Sequence, residues 1–141
     1  MTQITLAQAN QIVDAALKAA REKSFQQLTV VVLDAGGHMV ALQREDSSGI
    51  LRAEVATGKA YAALGMGISS RKIGAANTDR PAFLSSVSAA SDGRFVPVAG
   101  GVLVHNSDGQ VIGAVGVSGD NSDNDEIAAI AGIEAAGLTA V

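Results

Sequence analysis

Two histidines are the first residues of this sequence that could carry chemistry. His38 follows Gly36-Gly37 in a predicted hairpin, and His105 stands at the end of a predicted strand, just before a turn. A neutral imidazole can ligate a metal ion or transfer a proton. The alternative is that both histidines are surface residues. They are too far apart in sequence to form a metal-binding motif, so no zinc site is predicted.

Basic side chains could hold an anionic ligand. Lys59 lies beside Gly58 in a helical pattern of small and apolar residues, where it could approach an anionic group such as a carboxylate. If desolvated, its pKa would fall and it could act as a base or Schiff-base nucleophile. Alternatively, its ammonium group reaches the surface. Arg44, at the end of the first hairpin, is the arginine best placed to clamp a carboxylate through its guanidinium fork.

Two aspartates and one serine complete the candidate set. Asp34 and Asp125 could act as general bases, although Asp34 could instead cap its own turn and Asp125 could stabilise a helix start. Ser118 lies in a glycine-rich segment leading to a helix N-terminus, where free N–H groups could hold an anion. The alternative is a turn that needs glycine. No histidine has a recognisable spacing to Ser118, so a nucleophilic serine is not predicted.

Composition narrows the function classes. The chain has 141 residues, the size of one domain, and 48% of them are apolar. Charged residues make up 17%, below the roughly 25% of an average globular protein, which favours a homo-oligomer. The net charge is −4, no basic run occurs and aromatic residues are 3%, so nucleic acid is not an expected partner. The absence of cysteine excludes disulfides, thiolate metal sites and a cysteine nucleophile.

The same sequence predicts neither membrane insertion nor export. No apolar run approaches the roughly 20 residues of a membrane span. Met1-Thr2-Gln3 leads directly into a helical pattern without the basic and apolar regions of a signal peptide. We therefore expect a cytoplasmic protein without a membrane partner.

Hydrophobic periodicity predicts the elements that position these residues. Thr5 and Gln8 form a capping box ahead of a helix ending near Lys23. The other predicted elements are two hairpins (Leu28–Leu33 with Met39–Gln43, Val102–His105 with Val111–Val117), a helix to about Leu64, a short helix from Pro81 capped by Asp79, and a last helix from Ser122 or Asp123. The segment 69–80 is predicted to be less regular. This order indicates one α+β domain over residues 1–141, with helices around an antiparallel sheet whose central strand is Val111–Val117.

Five motifs in order resemble the GlcG/HbpS family over nearly the whole chain. They are Asp34 with Gly36-Gly37, Lys59-Ala60, Gly100-Gly101, Gly113-Ala114 with Gly116-Val117-Ser118-Gly119, and Asp125 followed by Ala131-Gly132. The resemblance implies a three-layer, profilin-like α-β-α domain that forms homo-oligomers, and it implies haem or another tetrapyrrole as the ligand of some members. Many members have proline soon after the third motif, where this chain has Leu103, so the ligand preference of that loop stays open.

The resulting hypothesis is a cytoplasmic homo-oligomer that binds a small anionic ligand, with haem as the named candidate. The expected pocket lies between the second helix, its Gly65-Met66-Gly67 end and the Gly100-Gly101 loop. Its expected contacts are His38, His105 or Met66 at iron, Lys59 or Arg44 near propionates, and Gly36, Gly37, Gly100, Gly101 and Ser118 around the ligand. One alternative is a lyase, isomerase or hydrolase of a small carboxylic acid, with Lys59, His38, Asp34 or Asp125 as catalytic residues. Another is an accessory partner of a metabolic enzyme.

Overall fold

The computed structural model describes residues 3–141, so Met1 and Thr2, which entered the expectation of a cytoplasmic location, lie outside the described residues. Helices and strands follow one another along the chain in the order α1 (Leu6–Glu22), β1 (Thr29–Asp34), β2 (Met39–Arg44), α2 (Arg52–Met66), α3 (Ser70–Ala76), α4 (Pro81–Ala90), β3 (Gly101–His105), β4 (Val111–Ser118), α5 (Ser122–Ala135) and β5 (Thr139–Ala140). Within residues 3–141, none of these helices is both long enough and apolar enough to cross a membrane.

The five strands form one antiparallel sheet in the order β2-β1-β4-β3-β5. Strand β4 lies at its centre, paired with β1 on one side and β3 on the other, and its residues from Ile112 to Ser118 are buried. A strand with apolar residues on both faces, as between Ile112 and Val117, is stable only when both faces are covered. The apolar run in β4 therefore places it in the middle of the sheet, as predicted.

Helices cover both faces of the sheet, which confirms the three-layer α-β-α arrangement. Helices α1 and α5 pack against each other and on one face, where alternate strand residues such as Val30 and Val115 point. Helix α2 packs on the opposite face, against Val31, Leu33 and Leu103. Outside α2, the short helices α3 and α4 surround a small cluster of Ala62, Ile73 and Phe95, with Met66, Leu84 and Val87 packed against it.

Two glycines allow α2 to lie directly on the strands. Gly101 of β3 and Gly116 of β4 are opposite each other in the ladder and face α2. A Cβ at Gly116 would lie 1.9 Å from the carbonyl oxygen of Ala56, and one at Gly101 would lie 2.2 Å from that of Lys59. Both distances are far below van der Waals contact, so the position of the helix requires glycine on the strands beneath it.

The structure differs from the sequence-based prediction in three short segments. Residues 70–76, predicted to be irregular, form α3, because the Ser69 hydroxyl accepts a hydrogen bond from the Lys72 N–H and starts the helix. Helix α4 begins after Arg80 rather than after the predicted cap Asp79, with proline in its first turn. Strand β5 was not predicted, because it has only two residues and its pairing with β3 is long-range.

Candidate functional site

The turn between β1 and β2 holds His38 in a defined orientation. One carboxylate oxygen of Asp34, Oδ1, accepts the backbone N–H of Gly36 at 3.0 Å and that of His38 at 2.9 Å. The same oxygen lies 3.2 Å from Nδ1 of the His38 ring. Burial acts to raise the pKa of Asp34, but these two backbone N–H groups and the nearby ring outweigh it and keep the pKa below its usual value.

His38 itself is open to solvent, with 80% of its side chain exposed. When Nδ1 donates to Asp34, the lone pair of Nε2 is left free for a metal or a proton. Histidine ligands of metals are commonly oriented in this way, by a carboxylate on the other ring nitrogen. Gly36 leaves room for the ring, because a Cβ there would lie 2.9 Å from His38 Cε1.

A cleft of about 180 Å³ separates this turn from α2, and we name it the hairpin–helix cleft. Its lining residues are Ala35, Gly36, Gly37, Tyr61, Leu64 and Gly65. The ring of Tyr61 lies against the turn, because a Cβ at Gly37 would be 2.8 Å from Tyr61 Cε2. Pockets that enclose small molecules usually have roughly 300–1,000 Å³. This cleft can therefore enclose only part of a tetrapyrrole.

A second, larger cleft of about 320 Å³ lies along the same helix, and we name it the Arg94 cleft. It is bordered by β2, α2 and the turn before Arg94, and its lining residues are Met39, Leu42, Ala53, Glu54, Thr57, Gly58, Asp92, Gly93 and Arg94. The guanidinium of Arg94 lies 4.4 Å from the centre of the Tyr61 ring. Tyr61 therefore contacts both the hairpin turn and Arg94, and links the two clefts.

Lys59 and Asp125 form a separate, buried ion pair. The Lys59 ammonium donates to Asp125 Oδ2 at 3.1 Å and to the Val117 carbonyl at 3.0 Å, with exposures of 2% and 1% for the two side chains. The other carboxylate oxygen of Asp125 accepts the Asp120 N–H. Burial lowers the pKa of Lys59 and raises that of Asp125, although their mutual attraction opposes both shifts.

This pair connects the two helical layers. Lys59 belongs to α2 on one face of the sheet, whereas Asp125 lies in the first turn of α5 on the other. The lysine passes Gly100, where a Cβ would lie 2.8 Å from its Cδ and Nζ. Three of the sequence motifs therefore meet in the packing of the protein, namely Lys59-Ala60, Gly100-Gly101 and the motif that begins at Asp125. Ligand contacts by Lys59, Gly100 and Gly101 stay predictions.

Other candidates also have partners within the protein. Arg44 donates from Nη1 to the Ser48 carbonyl at 2.8 Å. Ser118 is fully buried, and its hydroxyl accepts from Arg52 Nη1 at 3.1 Å. Met66 packs against the cluster around Phe95. These contacts lie away from the hairpin turn. Arg44 is exposed and lines another cleft, and ligand contacts by the three side chains stay predictions.

His105 lies two strands away from β1, on β3. Its Nε2 atom is buried and, within residues 3–141, is the one buried side-chain nitrogen or oxygen without a hydrogen-bond partner. The candidates thus fall into two groups. Asp34, Gly36, Gly37 and His38 come together at the hairpin turn, whereas Lys59, Gly100 and Asp125 meet across the end of the sheet.

Tyr61 and Arg94 are site residues that the sequence analysis missed. They are far apart in the chain and belong to no motif. A signal was present for Tyr61, because Thr57, Gly58, Tyr61 and Gly65 recur at the spacing of one helix face. For Arg94 no signal existed, because the turn that carries it is positioned only by the tertiary fold.

The chain matches the family model described as haem degrading protein HbpS-like over residues 4–134. Protein ORFY of Klebsiella pneumoniae is 29% identical, with a TM-score of 0.87 and coverage of 97% of this chain and 93% of that one. HbpS is 27% identical, with a TM-score of 0.80 and coverage of 94% and 89%. The PduOC:heme complex, 23% identical with a TM-score of 0.85 and 96% coverage of both chains, shares the fold.

No curated protein matches the sequence at a significant level. The family model nevertheless covers almost the entire chain, and the layers and the sheet agree with the fold that the resemblance implied. The chain therefore belongs to the HbpS-like family.

Proposed function

We propose that this protein binds haem or a related anionic tetrapyrrole at the hairpin turn, with Nε2 of His38 as the iron ligand. The observation that carries the proposal is the distance of 3.2 Å between Asp34 Oδ1 and His38 Nδ1. This contact directs Nδ1 towards the turn and leaves Nε2 free. Membership of the HbpS-like family and the likeness to HbpS support haem as the ligand.

Among the three candidate iron ligands, His38 fits best because a large planar group can reach it. Its side chain is 80% exposed, whereas Nε2 of His105 is buried and Met66 packs in a core cluster. An iron bond to His105 would require its buried Nε2 to become accessible, and one to Met66 would take that side chain out of its packing against the cluster. Binding at His38 requires no such change.

The chain's own residues would hold the group in three ways. Asp34 would orient His38 and fix the ring tautomer that leaves Nε2 free. The hairpin–helix cleft would receive one edge of the macrocycle against Tyr61 and Leu64. When bound, haem would supply a redox-active iron centre, and the protein would control access to it.

A second function is favoured by the same pair of side chains. An aspartate that orients a histidine is also a general-base arrangement, as used in proton abstraction. The alternative is therefore an enzyme acting on a small carboxylic acid, with His38 as the base. Such an enzyme would convert its carboxylic acid substrate in the absence of haem.

Homo-oligomerisation is part of the proposal, whereas a cytoplasmic location stays a prediction from the sequence. Ile50 is 92% exposed and Leu51 67% exposed, in the loop before α2. Large adjacent apolar side chains in water favour association. We expect light scattering to give a multiple of the 14.1 kDa chain mass, and a smaller multiple for Ile50→Asp. A wild-type mass of one chain would contradict this part of the proposal.

A haemin titration of the purified protein, followed by absorbance, tests the function. We expect a saturable Soret shift at a fixed stoichiometry, retained in His105→Ala and Met66→Leu. In His38→Ala the affinity is expected to fall by about tenfold or more, since that change corresponds to roughly 1.4 kcal/mol, which is modest for loss of an iron ligand.

Two outcomes would contradict the proposal. A wild-type protein that gives no saturable shift does not bind haem in a specific site. Loss of binding in His105→Ala, with His38→Ala unchanged, would move the site to β3. Turnover of a carboxylic acid by haem-free protein that His38→Ala abolishes would favour the second function.

A further inference from the structure

Arg94 is an exposed residue whose guanidinium lies over the Tyr61 ring, and its terminal nitrogens have no partner within the described chain. Its guanidinium carbon lies 4.4 Å from the centre of the Tyr61 ring, and its Nε donates to the Ser91 carbonyl at 2.9 Å. Within residues 3–141, neither terminal nitrogen has a protein hydrogen-bond partner or forms an ion pair. The stacking and the single Nε bond reduce the freedom of the side chain, so two parallel N–H donors are held ready for a ligand.

The other arginines of the described chain do not share this arrangement. Each donates from a terminal nitrogen to a protein acceptor: Arg21 to Phe25, Arg44 to Ser48, Arg52 to Ser118, Arg71 to Asp123, and Arg80 to Asn77. Arg80 is the most similar, because it also lies over an aromatic ring, 4.2 Å from the centre of Phe83. It does not line the Arg94 cleft, which makes it a matched control.

The cleft beside Arg94 has the size and surface for a small organic group. Its volume of about 320 Å³ falls within the range of roughly 300–1,000 Å³ that is usual for small-molecule pockets. Met39, Leu42 and Ala53 provide apolar surface, and Met39 is 54% exposed. Glu54 and Asp92 line the same cleft without pairing with Arg94, so a second negative charge on the ligand would be repelled.

We propose that Arg94 is the carboxylate-binding residue of this cleft, for a ligand with one carboxylate in the cleft and an apolar body. Two sources can supply that chemistry. One is a propionate of the bound tetrapyrrole, which would extend past Tyr61 from the hairpin turn. This source rests on the proposed function. The other is a free short-chain carboxylic acid. A guanidinium fork is suited to both, because it donates two parallel hydrogen bonds to a carboxylate.

The experiment compares wild type, Arg94→Ala, Arg94→Lys and the control Arg80→Ala. Haemin and its dimethyl ester, which lacks both carboxylates, are titrated by absorbance, and isovalerate and isovaleramide by calorimetry. For whichever carboxylate binds, we expect Arg94→Ala to weaken affinity by about tenfold, since charge-assisted hydrogen bonds contribute more than neutral ones. Arg94→Lys is expected to lose less affinity than Arg94→Ala. The affinity for the ester or the amide is expected to stay the same in both variants.

The outcomes separate the inference from the proposed function. A selective loss with haemin assigns the carboxylate to a propionate, whereas a selective loss with isovalerate assigns it to a free acid. If wild type binds haemin but Arg94→Ala matches Arg80→Ala for every probe, the inference is overturned and the proposed function stands. If only isovalerate binds through Arg94, the proposed function fails and the inference stands. Failure of every probe to bind overturns both.

A gain of affinity provides an independent check that does not depend on removing the Arg94 side chain. Glu54→Gln and Asp92→Asn each remove a negative charge from the cleft while keeping the side-chain shape. Both are expected to tighten binding of the carboxylate about twofold or more, because like charges at a surface repel weakly. Weaker binding in both variants would contradict the assignment, because it would mean that the ligand contacts these carboxylates with a positive group.

Discussion

Lys59→Met is expected to lower the free energy of unfolding by about 3–5 kcal/mol, because removing one partner of a buried ion pair leaves an uncompensated charge. The charge left behind is Asp125, which is 1% exposed. The Val117 carbonyl would lose the same donor. Since domains of this size are stable by only about 5–15 kcal/mol, the variant should unfold at a much lower urea concentration than wild type.

A second substitution distinguishes loss of the pair from loss of lysine packing. Asp125→Asn, added to Lys59→Met, removes the stranded charge and keeps an oxygen that can accept the Asp120 N–H. The double variant is expected to recover part of the lost stability. Lys18→Met, on the exposed side of α1, serves as the control. Equal urea midpoints for Lys59→Met and Lys18→Met would show that the pair does not stabilise the fold.

Gly116→Ala is the second change with a large expected effect. Its methyl group would lie 1.9 Å from the Ala56 carbonyl oxygen, so α2 must move away from the sheet. Overpacking usually costs about 1–3 kcal/mol, and a backbone obstacle gives values at or above the upper end of that range. Thermal unfolding followed by circular dichroism should show a clear loss of stability.

Gly65→Ala is the matched control for this glycine. Gly65 lies in α2 itself, and apart from its chain neighbours and the adjacent helix backbone no atom lies within 4 Å of the position that its Cβ would take. Alanine within a helix is favoured over glycine by roughly 0.5–1 kcal/mol, so this variant is expected to be slightly more stable than wild type. If Gly116→Ala were as stable as Gly65→Ala, α2 would not be packed directly on β4.

The scaffold could be predicted from the sequence wherever a local pattern determines the structure. The capping box of Thr5 and Gln8 is present at the start of α1, with both hydrogen bonds formed. The apolar run of β4 gave the correct central strand. Helix α3 and strand β5 were missed, because the first is a single capped segment of seven residues and the second depends on pairing with a distant strand.

The site was less accessible to sequence reasoning, because distance along the chain does not show which motifs meet. Gly100 and Lys59 were predicted to surround a ligand, and their spacing in the sequence did not show that they lie against each other. Asp34 and His38 could be placed at the same turn, since they are only four positions apart in the sequence. Tyr61 and Arg94 could not be placed together from the sequence, because only the packed helices bring the turn at residue 94 over α2.

The most direct test of haem ligation by His38 is chemical rescue. His38→Gly, loaded with ferric haem, is examined by absorbance and electron paramagnetic resonance with and without added imidazole. We expect the variant to lose the spectrum of the wild-type complex and imidazole to restore it, because the free ring would occupy the position vacated by His38. A variant whose spectrum equals that of wild type without imidazole would contradict the assignment of His38 as the iron ligand.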